Sequence, residues 1–308
     1  MKQAINNDIL ITGTVAFDEI ETPKGSSGKI IGGAGTYIAL AASIFSKNIS
    51  LISVIGDDFS ESDIKMLNSK NINTDMIERI PGEKSFYWKG RYHSNFKSRD
   101  TLVTELNALA KFKPVVKSSS KKAKIVVLGN LHPAVQLSVF DQIEVEECYV
   151  ILDTMNFWMD TALEELMFAI SKTNLIVIND EEAEQLTSKK STKDAAIKIL
   201  NMGPKTVIIK KGDKGAEVFS EHNKAFHIPA YPVDNVIDPT GAGDCFAGGL
   251  AGYLSTQHKI DFNSIQNSMI FGTIIASYCV ENFGVKGVKN LDLHKIQKRT
   301  KIFKHYFS

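Results

Sequence analysis

Six short runs of the chain are almost continuously apolar and rich in valine and isoleucine: Ile9–Thr12, Ile49–Ile55, Ile125–Leu128, Tyr149–Leu152, Leu175–Ile178 and Thr206–Lys210. Between and after them lie segments whose apolar residues recur at helical spacing: Gly35–Phe45, Ser60–Asn68, Ala134–Gln142, Thr161–Ser171, Glu181–Thr187, Thr192–Leu200, Ala242–Ser255 and Ser264–Val280. A strand with no polar side must be covered on both faces, the condition of a parallel sheet between two helical layers. The pattern therefore predicts an α/β protein, a three-layer α/β/α domain around a mainly parallel sheet.

Two segments break the rhythm. Thr14–Gly32 and Glu83–Thr104 carry Gly and Ser turns and several aromatics but no helical period, which predicts irregular β structure. Two such segments can pair into one small sheet projecting from the main domain, a lid over a cleft formed by about 14–32 and 83–104. No repeat, low-complexity tract or Pro-rich linker divides the chain, so residues 1–308 read as one domain with this addition.

Composition narrows the class of partner. Of 308 residues, 36 are basic and 35 acidic, a net charge of +1 that gives no bulk attraction to nucleic acid or to a membrane surface. The basic run from Lys295 to Lys304 reads as the solvated face of a terminal helix. Three cysteines, Cys148, Cys245 and Cys279, have no CxxC spacing and suit a reducing compartment. No signal-peptide run opens the chain and the apolar stretch Met269–Val280 is too short to span a bilayer, so a cytoplasmic protein is expected.

The chemistry concentrates in Asp238-Pro-Thr-Gly-Ala-Gly-Asp244, followed by Cys-Phe-Ala-Gly-Gly-Leu250. Pro239 holds Asp238 extended. Gly241, Ala242 and Gly243 keep the chain small where it turns into a helix, so successive N–H groups can converge on an anion at a positive helix end. Asp244 falls in the first turn beside that anion, where the helix end is expected to keep it ionised. Phosphoryl transfer needs such a set: positioned donors for the transferred oxygens and a carboxylate to take the acceptor's proton. A tight loop with Asp244 as a helix cap would need the same residue types.

The full stretch closely resembles the C-terminal signature of the ribokinase-like, or PfkB carbohydrate kinase, family. The resemblance runs from roughly Ile9 to Gly287 and implies an ATP- and Mg2+-dependent kinase acting on a hydroxyl of a small sugar. It makes Asp244 the general base and Gly241–Gly243 the anion hole. By the same resemblance Asp18, in Gly-Thr-Val-Ala-Phe-Asp18, bonds substrate hydroxyls, and Gly32 and Gly33 form the hinge between lid and main domain, close to the substrate. Asn179 and Glu182, in Asn-Asp-Glu-Glu, match the motif that organises Mg2+ and phosphates through water. Lys210, Gly212 and Gly215 lie where the family contacts the nucleotide. Asp238, Thr240, Cys279, Asn282 and Gly284 match a region that cradles a monovalent cation, potassium, in some relatives.

One position departs from the sugar-kinase pattern. After the glycine pair, where such relatives often carry Asn, this chain has Tyr37, which offers a flat apolar surface. With Phe17, Tyr87, Trp88 and Trp158 as neighbours, it would favour a ring or base, so a nucleoside kinase is the alternative. A non-catalytic sugar or nucleotide sensor is a further reading, against which the intact Asp244 argues. No Gly-x-Gly-x-x-Gly follows the first strand and no Walker sequence occurs, which removes dinucleotide oxidoreductases and P-loop NTPases. Covering the exposed edges of a two-segment lid predicts a homodimer through the lid.

Overall fold

The computed structural model describes residues 8–307. In chain order the strands are β1 Ile9–Thr12, β2 Ala16–Thr22, β3 Gly25–Gly32, β4 Ile49–Ile55, β5 Ile72–Arg79, β6 Tyr87–Tyr92, β7 Arg99–Glu105, β8 Ile125–Leu128, β9 Tyr149–Asp153, β10 Leu175–Asn179, β11 Thr206–Lys210, β12 Ala216–Ser220 and β13 Lys224–Ile228. The helices are α1 Ala34–Ala42, α2 Glu61–Asn68, α3 Pro133–Phe140, α4 Asn156–Thr161, α5 Leu163–Ser171, α6 Asp180–Thr187, α7 Thr192–Leu200, α8 Ala242–Ser255, α9 Phe262–Cys279 and α10 Leu293–Phe307.

Nine strands make one sheet in the order β13-β12-β11-β10-β9-β8-β1-β4-β5. Every pair from β11 to β5 is parallel, with Ile9 opposite both Ile49 and Ile125, and β12 and β13 add an antiparallel edge. Alternation along each strand then divides the apolar residues between two layers. Ile9, Ile11, Leu51, Ile125, Val127 and Val177 join one core with α1, α8 and α9. Leu10, Ile52, Val126, Leu128, Ile176 and Ile178 join the other with residues of α5, α6 and α7. The expected three-layer architecture follows from that division.

Segments 16–32 and 87–105 pair into a separate four-stranded sheet of order β3-β2-β6-β7, as the broken rhythm predicts. Its two faces differ. Glu19, Glu21, Lys89 and Arg91 form ion pairs on one face, and Tyr87 donates to Glu19 there. By alternation Asp18, Ile20, Trp88 and Tyr92 point to the opposite face, where Asp18 and Ile20 are buried.

Three strands escaped the sequence pattern. β5, Ile-Asn-Thr-Asp-Met-Ile-Glu-Arg, is an edge strand whose alternating polar residues face solvent, so it lacks the continuous apolar run of its neighbours. β12 and β13 are short and half-exposed at the other edge. No helix among the described residues is long and apolar enough to cross a membrane.

Candidate active site

The C-terminal ends of three neighbouring parallel strands carry polar or charged residues, the usual place for a site in an open α/β sheet. β9 ends at Asp153, β10 at Asn179 and β11 at Lys210. Residues 237–241 then bring the chain to α8 beside them. Gly241 is the cap residue of that helix at φ 76°, a left-handed conformation in which any Cβ is strained. A Cβ there would also lie 2.5 Å from ring atoms of Tyr37. Gly243 faces Lys210, whose Nζ lies 2.9 Å from where its Cβ would stand. The lysine ammonium and the first-turn amides of α8 thus border the same small space.

Lys210 pairs with Asp153, Nζ to Oδ1 at 3.5 Å. Burial pulls the Lys210 pKa down, but Asp153, Glu182 and Asp244 outweigh it and leave the ammonium above its usual range. Burial raises Asp153 despite that lysine. Glu182, 6% exposed, closes a capping box with Asn179: its Oε2 accepts the Asn179 N–H at 2.9 Å, and Asn179 Oδ1 accepts the Glu182 N–H at 2.7 Å. Burial pushes its pKa up to about 7, against the pull of Lys210.

Across the cleft, Asp18 on β2 is held by one oxygen. Its Oδ2 accepts the Gly33 N–H at 3.3 Å. The carboxylate fills the space beside Gly32, where a Cβ would fall 1.9 Å from Oδ2, so residue 32 must lack a side chain. Burial lifts Asp18 to about 7, with Asp238 and Asp244 adding to the rise and the Gly33 amide opposing it. Asp244 reaches about 7 as well, first through burial and then through Asp153, with Lys210 and Arg99 opposing. The expectation that the helix end keeps Asp244 ionised is met by an opposing effect: desolvation outweighs the backbone amide at Asp244, and that amide together with Lys210 and Arg99 holds the value near neutrality.

The segment before α8 is clasped to the end of α9. Asp238, fully buried, accepts N–H groups from Thr240 (2.8 Å) and Gly284 (3.0 Å). The Ile237 and Asp238 amides donate to the Val280 carbonyl, and the Cys279 thiol donates to the Thr240 carbonyl at 3.4 Å. Asn282 donates its amide to the Cys279 carbonyl. All five expected cation-site residues therefore share one clasp.

Tyr37 is a second correction. It is 1% exposed, lies beneath the Gly241 turn and has no partner for its hydroxyl. α1 is buried from Gly35 to Ala42, which leaves no face to present a flat surface to a ligand. Of the other aromatics, Phe17 packs on Phe59 and takes the Lys29 ammonium at 4.2 Å on the face away from Asp18. Tyr87 is on that outer face too. Trp158 donates to Asn130 at 2.8 Å. Trp88 alone of the lid aromatics named from the sequence shares the face of Asp18, directly opposite it in register.

In the turn after β11, Gly212 has φ 56° and open space at its Cβ position. Gly215 has φ 87° and no such space, since a Cβ would meet the Ile228 carbonyl at 1.9 Å. Gly212 can border a ligand, whereas Gly215 shapes the turn. Three residues with a place in this cleft were not singled out from the sequence. Asp153 could have been, as the lone acid ending the apolar run Val150–Leu152. Tyr92, whose hydroxyl accepts from Thr240 Oγ1 at 3.1 Å, and Arg99 could not, because their position depends on lid strand register.

The geometry agrees with comparisons to known proteins. A family model described as "pfkB family carbohydrate kinase" matches residues 7–290. A cytidine kinase of Thermococcus kodakarensis is 28% identical over 253 residues, 80% of this chain and 88% of that protein. A deoxyribokinase of Salmonella typhimurium is 28% identical over 279 residues, 87% of each. The structure of a Burkholderia thailandensis nucleoside kinase in complex with inosine superposes with a TM-score of 0.78 at 19% identity, covering 97% of this chain and 99% of that one.

Proposed function

The chain belongs to the PfkB family of carbohydrate kinases, phosphotransferases acting on a sugar or nucleoside hydroxyl, and on that premise we propose that it moves the γ-phosphoryl group of ATP to a hydroxyl of a small sugar, with Asp244 as general base. The observation that carries this is geometric: Asp244 stands in the first turn of α8, behind the Gly241 turn, with the Lys210 ammonium against Gly243 of the same turn. A bond forms between the acceptor oxygen and Pγ while the bond from Pγ to the β–γ bridging oxygen breaks. The acceptor proton goes to Asp244, and ADP leaves. The Gly241 and Gly243 amides receive the charge that spreads over the transferred oxygens, joined by the Ala242 amide once it leaves the Pro239 carbonyl, to which it donates at 3.2 Å.

Asp18 holds the acceptor. One of its oxygens is fixed by Gly33, which leaves the other for substrate hydroxyls. Gly32 and Gly33 let backbone and carboxylate share a space no side chain could enter. Lys210 neutralises the nucleotide phosphates from the sheet side, and Gly212 borders the nucleotide. Glu182 and Asp153 suit Mg2+, which keeps much of its water and takes few carboxylates besides the phosphates; no group of three ligating side chains exists among the described residues to bind it directly. When bound, Mg2+ supplies positive charge at the phosphates. Asp238 is a buried carboxylate with no cationic side chain beside it among the described residues, which suits a potassium ion within the clasp of Thr240, Cys279, Asn282 and Gly284.

A nucleoside acceptor is the second reading. Trp88, opposite Asp18 on the cleft face of the lid, offers an indole where a base attached to a bound ribose would extend. A panel of pentoses, hexoses and nucleosides with MgATP separates the two: turnover on nucleosides alone overturns the sugar reading. On whichever acceptor responds, Asp244→Asn lowers kcat by about 10³-fold or more while ATP still binds, and unchanged turnover refutes the base assignment.

A further inference from the structure

The β6–β7 hairpin joins the acceptor side of the cleft to the nucleotide side. Its tip, residues 93–98, reaches the turn at Gly212–Lys214, where Lys97 Nζ pairs with Asp213 at 2.9 Å. Within the hairpin Arg99 stands opposite Tyr92. Successive registers, Asp18 to Trp88, Ile20 to Gly90, Gly90 to Thr101 and Tyr92 to Arg99, place Arg99 on the face that bears Asp18.

The guanidinium is anchored without being neutralised. Arg99 donates to the Tyr92 hydroxyl at 3.5 Å, and the same hydroxyl accepts from Thr240, the residue before Gly241. It packs over the Trp88 and Tyr92 rings, 5.5 and 6.0 Å from their centroids. It joins no ion pair among the described residues. Its charge nevertheless lowers Asp18, Glu182 and Asp244, three carboxylates on different walls of the cleft. A cation that acts on all three walls, has no carboxylate partner and hangs from the same hydroxyl as the anion-hole turn is placed for a ligand that is itself an anion.

Resting on the kinase reading above, we propose that Arg99 is a further catalytic residue: with the hairpin seated on the 212–214 turn, its guanidinium contacts the γ-phosphoryl group between Asp18 and Asp244. Tyr92 and Lys97 are positioning residues, the first aiming the guanidinium and the second holding the hairpin down. The cation adds charge to the transferred oxygens and moves no proton. Because Arg99 belongs to the lid, the full set of positive groups around the phosphoryl assembles only when the lid spans both substrates.

Calorimetric titration with MgATP and with MgADP tests this without any acceptor. Arg99→Ala lowers the preference for ATP over ADP about tenfold and leaves ADP affinity within about twofold, and Arg99→Lys restores part of the preference. On the best acceptor of the panel, Arg99→Ala lowers kcat about 100-fold. Lys97→Ala gives a smaller loss that adds nothing to Arg99→Ala in the double variant. An unchanged ATP-to-ADP preference together with kcat within about threefold of the parent overturns the proposal. A wild type that phosphorylates nothing in the panel, yet loses its ATP preference on Arg99→Ala, sinks the acceptor assignment and supports Arg99 as a ligand of the γ-phosphate.

Discussion

Replacing Gly241 by alanine tests the geometry on which the anion hole depends. The new Cβ would stand 2.5, 2.5 and 2.6 Å from Cδ1, Cε1 and Cζ of Tyr37, about 1 Å inside ordinary carbon contact. The ring cannot retreat, because it is 1% exposed on a helix buried from Gly35 to Ala42. A non-glycine residue at φ 76° adds about 1–2 kcal/mol of backbone strain, and overpacking adds about 1–3 kcal/mol. The sum, about 2–5 kcal/mol, corresponds to a fall in Tm of about 3–8 °C for a domain of this size. If the turn yields instead, the amides of residues 241–243 leave their aim and kcat falls about 100-fold. Thermal melting and steady-state ATP consumption read the two outcomes. Tyr37→Leu opens the space, so the double variant should recover much of whichever was lost, a coupling of about 1–3 kcal/mol. Tyr37→Phe keeps the ring and should rescue nothing. A Gly241→Ala protein that melts within about 2 °C of the parent and turns over within about threefold would show that the ring does not buttress the turn.

The pH dependence follows from the raised carboxyls. Asp244 and Asp18 both lie near 7 in the free protein and must be ionised to act, so kcat/KM should fall at least tenfold per pH unit below about 7 and level off above it; a flat profile from about pH 5.5 to 8 contradicts the assignment. Stability moves the other way. Because burial raises Asp18 from 3.8 to about 7, the folded state holds this proton more tightly than the unfolded chain, and the ionised group costs stability increasingly from about pH 4 to 7. Asp18→Asn, which can still accept the Gly33 N–H, should therefore gain about 1–3 kcal/mol at pH 8 and little at pH 4, and equal melting at pH 8 would refute the burial argument. Finally, the lid sheet ends in β3 and β7 with no further strand beyond either, so light scattering at micromolar concentration should report a dimer, and a monomer would count against lid-mediated pairing.

How much of this was legible depended on burial. β1, β4, β8, β9, β10 and β11 announced themselves because both faces are covered and polar residues are excluded. β5 did not, since an edge strand needs only one apolar side. Asp244, Gly241 and Asn179 were readable because each belongs to a local segment whose residue order carries its geometry. Arg99 and Tyr92 were not, because what matters about them is a register across two strands and a hydrogen bond spanning 148 positions. Tyr37 misled for the opposite reason. Its neighbours in sequence suggested a ligand-facing residue, while the packing of α1 against α8 buried it.

The pairing of Lys210 with Asp153 has a consequence for how nucleotides are received. The ammonium has already lost most of its water and is balanced by carboxylates before any phosphate arrives. Dehydrating that cation is thus a cost met during folding, and an incoming phosphate exchanges places with an internal counter-ion instead of stripping solvent from a lysine. Affinity at this point should consequently be governed by competition with Asp153, and should respond less to ionic strength than a contact made by an exposed lysine would.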